Sequence, residues 1–309
     1  MKKIFLFTFL VTAMLINTSF GQSYFYSNSY FYRPFTYELG ANIGAINCLT
    51  DLGGNEGIGK RFVKDLNNNK TRFAYGLYFT AMYKNAVGIR LEGLMGNIEA
   101  NDAVLEDVPV SDIAKARYNR NLNFRSKINE LSLTAEIHPL YVLIDWAERE
   151  RAAPRISPYF LGGIGYYSFN PQAILNFKYI DLQPLRTEGQ GFKEYPDRKV
   201  YKLKQFNYPL GFGVKYELTQ NINLRAEYVY RILNTDYLDD LSTTYVDPRY
   251  FQTNGFTGER LTNAILLNDR QINPVTGPGG KRGSPAENDA YFTFNLKIGI
   301  ILASERMRE

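Results

Sequence analysis

The sequence predicts an all-β protein: an eight-stranded antiparallel transmembrane β-barrel with long loops on one side. Three observations predict it. The first is alternation over stretches of about ten residues, in which every second side chain is large and apolar. In 205–217, Phe206, Tyr208, Leu210, Phe212, Val214 and Tyr216 fall on one face, and Gln205, Asn207, Lys215 and Glu217 on the other. In 222–232, Ile222, Leu224, Ala226, Tyr228, Tyr230 and Ile232 oppose Asn223, Arg225, Glu227 and Arg231. The second is an export leader. The third is the lack of any apolar run of the roughly 20 residues a spanning helix needs, with a mean hydropathy of −0.30. A barrel tolerates that value because lumen and loop residues dilute its lipid face. The 24 Tyr and 21 Phe suit a membrane interface.

The elements follow in order. Residues 1–21 read as a signal peptide: Lys2 and Lys3, an apolar core Ile4 to Ile16, and a small-residue cleavage site before Gln22. The remainder, 22–309, is one outer-membrane domain. Without Lys2 and Lys3 the chain has 34 basic against 31 acidic residues. That balance is too mild for a nucleic-acid partner. Strand one covers about 36–46 and strand two about 73–83. After the turn at Lys84-Asn85, strand three carries Val87, Ile89, Leu91 and Met95 outward. Strand four covers about 124–138. Strand five, about 156–167, is Gly-rich and its phase is ambiguous. Strands six and seven are the two stretches above, and strand eight is about 290–302.

An even number of antiparallel strands closes without an edge, as a bilayer requires. Eight strands leave a lumen that side chains fill. The inward set is Glu38, Arg90, Glu92, Glu136, Lys215, Glu217, Arg225, Glu227, Arg231 and Lys297. Mixed signs in a narrow lumen predict a plugged, ion-paired core, with Arg225, Glu227, Arg231, Lys215 and Glu217 central. Short turns normally face the periplasm and long loops the exterior. The long connections are about 47–72, 97–123, 168–204 and 233–289, with Pro274–Pro285 expected to be mobile.

Asp236, Asp239, Asp240 and Asp247 are hard oxygen ligands, but their spacing is not that of a Ca²⁺ loop, and a solvated turn is the reading preferred. No metal or cofactor is expected. His138 is the single histidine. Ser132 and Thr134 on its face are out of reach, so a hydrolase would need a serine from another strand. The Arg-rich stretch 146–155 is read as a charged periplasmic turn. Cys48 is the single cysteine, so an internal disulfide is impossible. It is either a buried small residue or a link to another chain.

The loops carry distinctive segments: NCLTDLGG at 47–54, FNPQA at 169–173, LQPLRTEGQG at 182–191 and DYLDDLSTTYVD at 236–247. With the barrel pattern, these resemble the PorG-type outer-membrane protein of the type IX secretion system, in the broader DUF6089 family. The resemblance covers nearly the whole mature chain. It implies a non-enzymatic component of a secretion machine in the cell outer membrane. It also implies association with a periplasmic ring of a lipoprotein and its partner, close to the translocon. In that group a cysteine can join barrel to ring lipoprotein, and Cys48 is the only candidate. The short-turn rule nevertheless puts Cys48 on the outward side. The loop residues expected to contact a partner are Cys48, Asp51, Gln190, Asp236, Asp239 and Asp240. The alternative is a stand-alone small barrel for adhesion, ligand passage or envelope integrity.

Overall fold

The computed structural model describes residues 35–52, 70–106, 112–144, 154–219, 221–286 and 288–302. The leader and most of the 146–155 stretch lie outside these residues. Ten strands form: β1 (Phe35–Leu49), β2 (Arg72–Tyr83), β3 (Val87–Asn101), β4 (Asn123–Ile137), β5 (Ile156–Ser168), β6 (Pro171–Leu175), β7 (Lys178–Asp181), β8 (Lys204–Thr219), β9 (Ile222–Leu233) and β10 (Ala290–Ile301). All except β6 and β7 form a closed eight-stranded antiparallel barrel. Closure comes from β1 against β10, for example Ile43↔Leu296, and from β3 against β4, for example Leu91↔Leu133. No described helix is long and apolar enough to cross a membrane.

The eight barrel strands coincide with the eight alternating segments, and several run further outward. β1 continues to Leu49 and β3 to Asn101. In β5, whose phase was open, Ile156, Phe160, Ile164 and Tyr166 face out and Ser157, Tyr159 and Tyr167 face in. Glycine is required where β5 crosses β4. A Cβ at Gly163 would stand 2.1 Å from the Leu133 carbonyl oxygen. The β6–β7 hairpin was not foreseen. It extends from β4 through Arg125↔Gln172 and turns on Asn176 and Phe177, both left-handed (φ 49° and 61°).

The outward set is a belt of exposed apolar side chains, with Phe212 57 % and Leu296 64 % exposed. In a bilayer that belt meets acyl chains. Phe212 lies halfway along the outward row from Phe206 to Leu218 on β8. We expect Phe212→Arg to cost about 2–4 kcal/mol of folding stability in lipid vesicles, and Phe206→Arg about 0–1 kcal/mol near the interface. Equal costs in urea titrations would contradict the assigned depth. Asn223, on the opposite face, is no benign control: it is buried and donates to Glu38 at 2.8 Å. An Arg at this position would meet a filled lumen.

The long connections also differ from expectation. Their described residues fold into a cap over the long-loop end of the barrel, rather than forming solvated loops. The cap contains a 3-10 turn (Asp102–Leu105), helix α1 (Asp112–Arg120), the β6–β7 hairpin, a 3-10 turn (Gln183–Leu185), α3 (Arg249–Thr253) and α4 (Gly258–Asn268). Helix α2 (Pro139–Leu143) lies at the short-turn end, between β4 and β5. Leu238, Leu241, Phe251, Phe256 and Leu267 of the cap pack in one apolar cluster with Ile46, Leu94, Ile98 and Ile128 of the strands. Within Pro274–Pro285, the Gly279 amide donates to the Tyr245 carbonyl at 2.9 Å, and the Arg282 amide to the Thr243 carbonyl at 2.9 Å. These bonds attach the segment to 243–245 and satisfy backbone groups that a Gly/Pro-rich composition would otherwise leave free.

Candidate functional site

The lumen is built from the inward position of every second residue. Each charged residue of the inward set is 6 % exposed or less. Its centre joins β1, β3, β4, β9 and β10. Arg225 grips Glu38 with Nη2–Oε2 at 2.7 Å and Nε–Oε1 at 3.0 Å, and reaches Glu136 Oε2 with Nη1 at 2.9 Å. Arg90 pairs with Glu136, with Glu227 at 2.5 Å and with Glu92 at 3.5 Å. Lys297 bridges Glu92 at 2.5 Å and Glu227 at 2.8 Å. Four carboxylates thus face three cations. Two tyrosines outside the expected set complete the centre. The Tyr78 hydroxyl donates to Glu38 at 2.5 Å and the Tyr159 hydroxyl to Glu227 at 2.7 Å. Their rings flank Arg90 at 5.3 and 5.7 Å and Arg225 at 5.7 and 5.5 Å. This is a cation–π sandwich in a site without bulk water.

The inward set is therefore assembled as expected, but its centre is different. Arg231 stands apart toward the cap, paired with Glu130 at 2.9 Å and with the Thr293 hydroxyl at 2.7 Å. Lys215 and Glu217 pair with each other at 3.3 Å. The correction arises because strand shear, not position along one strand, sets which charges share a level. Glu130, Tyr78, Tyr159 and Tyr291 were missed. Alternation places them inward, but their partners come from strands distant in sequence.

His138 does find a serine on another strand. Its Nδ1 is 2.9 Å from Ser157 Oγ, and its Nε2 is 3.5 Å from Glu136 Oε2. All three residues are fully buried, and Tyr159 stacks on the imidazole at 5.0 Å. The ring nitrogens are used in the reverse sense to a hydrolase triad. Glu136 is also committed to two arginines. The trio fastens β4 to β5 and offers no route for a substrate.

A second polar centre holds the cap. In LQPLRTEGQG, Arg186, Gly189 and Gly191 are left-handed (φ 50°, 70° and 78°). A Cβ at Gly189 would meet the Tyr195 ring at 2.7 Å. The turn drives Glu188 inward, where it is fully buried. Its carboxylate accepts from the Ser242 amide (3.1 Å), the Thr243 amide (2.8 Å), the Thr243 hydroxyl (2.7 Å) and Arg282 Nη1 (3.0 Å). Asp240 accepts from Thr187 and, at 2.7 Å, from the Tyr201 hydroxyl. Arg120 makes a bidentate pair with Asp102 at 2.8 and 2.9 Å, and donates to the carbonyls of Asp51 (2.7 Å) and Arg282 (2.8 Å).

The residues expected to meet a partner fall inside this cap. Gln190 is 1 % exposed, Asp239 2 %, Asp240 0 % and Asp236 9 %. Asp51 is half-buried and accepts from the Ser284 amide at 2.5 Å. Cys48 is half-buried beneath the cap, against the apolar cluster, with Sγ 4.0 Å from the Glu99 carbonyl. As folded, these side chains hold loops to one another rather than present a surface. A polar loop that satisfies its own carboxylates has the same composition as one that meets solvent. Glu188, Arg282 and Arg120 carry the cap, and their signal in the sequence is weak.

The Asp236 charge acts on both Asp239 and Asp289. Among the described residues, no three acidic, His or Cys groups are arranged to hold a metal ion. Asp247 is engaged elsewhere, with Arg249 at 2.6 Å. Burial pushes Asp236 up to about 8, with Asp51 and Glu188 adding repulsion. Burial and then the Asp51 and Asp236 charges raise Asp239, and burial with Asp239 and Asp236 raises Asp289. Burial lifts Asp240 to about 6 against Arg282. The folded cap therefore keeps protons that an unfolded chain, with an ordinary value of 3.8, has already lost. Stability is full below that value and declines as pH rises toward about 8. Amide exchange in 236–247, corrected for intrinsic rates, should show less protection at pH 9 than at pH 5. Asp236→Asn should flatten the difference, and protection that rises with pH would refute the sign.

A family model described as outer membrane protein beta-barrel domain matches residues 32–254. No curated protein matches the sequence. Among solved structures, the chain is similar to Neisserial surface protein A, with 10 % identity over 87 % of this chain and 98 % of that one, and a TM-score of 0.39. It is similar to the N-terminal β-barrel domain of Pseudomonas aeruginosa OprF, with 11 % identity, 86 % and 97 % coverage and a TM-score of 0.34. OprG of Pseudomonas aeruginosa gives 11 % identity, 88 % and 95 % coverage and a TM-score of 0.34.

Proposed function

We propose, from the premise that this chain belongs to the outer membrane protein beta-barrel domain family, that it is a non-enzymatic docking component of a type IX protein secretion machine. The observation that carries this reading is the filled lumen. Arg90 and Arg225, sandwiched by Tyr78 and Tyr159 and tied to four carboxylates, occupy the space a solute would need, and the cap covers the outer mouth. A barrel of this kind acts through its surfaces. The partners this reading names are a periplasmic ring lipoprotein and its companion, with the translocon nearby.

The surface available to a periplasmic ring is the short-turn end. There Val142 and Leu143 of α2 are 52 % and 80 % exposed. Cys48 belongs to the opposite end, so the docking we propose is non-covalent. Affinity capture of the full chain from mildly solubilised outer membranes should bring down a periplasmic lipoprotein. Val142→Glu with Leu143→Glu should lose it while the barrel stays heat-modifiable on gels. Cys48→Ser should leave capture unchanged. Recovery of the barrel alone, with secretion normal after its deletion, would overturn the docking role. That result would favour a stand-alone barrel for adhesion or envelope integrity, a reading supported by the amount of ordered chain in the outer cap.

A further inference from the structure

On the outer side of β5 and β8, just above the lipid-facing belt, the surface opens into a cleft of about 1040 Å³. Its lower edge is a cross-strand pair, Tyr166 and Phe206, with ring centroids 5.2 Å apart and 47 % and 56 % exposed. These rings are the uppermost members of the apolar rows of their strands. Directly above them the register pairs Ser168 with Lys204, so apolar gives way to polar at the level where a bilayer meets its headgroups.

The wall of the cleft is the segment leading into β8. Arg198 is fixed in it: Nη1 donates to the Glu188 carbonyl at 2.7 Å and Nη2 to the Thr244 hydroxyl at 2.6 Å, and its guanidinium stacks on Tyr195 at 4.1 Å. The wall is thereby anchored to the same glutamate that organises the cap. Lys199, Lys202 and Lys204 line the cleft and are exposed. None of the three has a carboxylate partner among the described residues, and Asp197 is the one acidic side chain in the lining. Thr235 and Thr243 close the back, with the Thr243 hydroxyl given to Glu188. The result is a preformed concavity with three unneutralised ammonium groups, opening sideways onto aromatic side chains in the membrane.

We propose that this cleft binds the phosphate-bearing headgroup of an outer-leaflet lipid, with its acyl chains lying over Phe206 and Tyr166. Ammonium groups are compact point charges suited to phosphate. The cleft has room for a phosphorylated sugar headgroup. An apolar lower rim is of no use to a free anion, and it places the acyl chains where a lipid already has them. The inference does not depend on the secretion role, since a stand-alone barrel meets the same leaflet.

The test uses the full mature chain in phosphatidylcholine nanodiscs doped with a bis-phosphorylated diglucosamine lipid. Lipid carried over into native mass spectrometry is the readout. Wild type should retain the phosphorylated lipid in preference to its dephosphorylated form. Combined Lys199→Gln, Lys202→Gln and Lys204→Gln should weaken that retention by about a hundredfold, as three membrane-proximal charges imply. These lysines are exposed, so heat-modifiability on gels should stay at wild-type level and confirm that the variant is folded. Inorganic phosphate in excess should not displace the lipid. Displacement by inorganic phosphate would reassign the cleft to a soluble anion. Equal retention by wild type and triple variant, or equal retention of both lipids, would overturn the proposal.

Discussion

Replacing Arg225 with Met should destabilise the barrel by about 3–5 kcal/mol, the range for stripping a buried carboxylate of its partner. Arg225 serves two carboxylates at once, Glu38 at 2.7 Å and Glu136 at 2.9 Å. Without it, the centre holds Glu38, Glu92, Glu136 and Glu227 against Arg90 and Lys297 alone. Glu38→Gln acts in the other direction. It brings the centre to three carboxylates and three cations, and the amide still meets Tyr78 and Asn223. It should therefore cost far less than Arg225→Met. The double variant should be more stable than Arg225→Met alone, because the orphaned carboxylate is gone. Denaturant unfolding in lipid vesicles gives all three values in one cycle. A double variant as unstable as the sum of its parts would mean that the two residues do not act as a pair.

The second large effect concerns the cap. Arg282→Ala should release it, at about 3–5 kcal/mol, while leaving the eight strands closed. Arg282 is 4 % exposed and donates to Glu188 Oε1, and to the carbonyls of Asp240 and Asn268, each at 3.0 Å. Its own carbonyl accepts from Arg120. Its side chain therefore links 182–191, 236–247 and the end of α4, while its main-chain carbonyl ties in α1. Its loss leaves Glu188 buried without a cation, and the remaining amide donors offset only part of that charge. Limited proteolysis should then cut within 233–289, with a heat-modifiable barrel surviving. Arg282→Lys should recover little, since an ammonium cannot reproduce a planar fork aimed at Glu188 and at the carbonyls of Asp240, Asn268 and Leu267. A cap that stays protease-resistant in Arg282→Ala would show that apolar packing alone holds it.

Much of this molecule is legible in its alternation. Phe206 to Tyr216 against Asn207, Lys215 and Glu217 specifies both the strand and its two solvents. Side-chain direction along a strand is a local property, and a bilayer punishes any error in it. β5 was ambiguous for a local reason: Gly162, Gly163 and Gly165 remove the side chains that would declare a face. The β6–β7 hairpin was hidden because a few residues at 171–181 give too short a pattern.

The sequence by itself determined that eight strands span a membrane and, β5 apart, which side of each strand faces the lumen. Both depend on a two-residue repeat that needs no knowledge of neighbouring strands. Only the tertiary structure decided that Arg225 meets Glu38 and Glu136 while Arg231 meets Glu130, because those partners are set by shear and closure among strands up to 187 residues apart. Only the tertiary structure, likewise, turned Asp236, Asp239, Asp240 and Gln190 inward. Whether a loop carboxylate faces water or a buried arginine depends on the energy of contacts made between separate loops, and those contacts exist only once the barrel has brought its outer strand ends together.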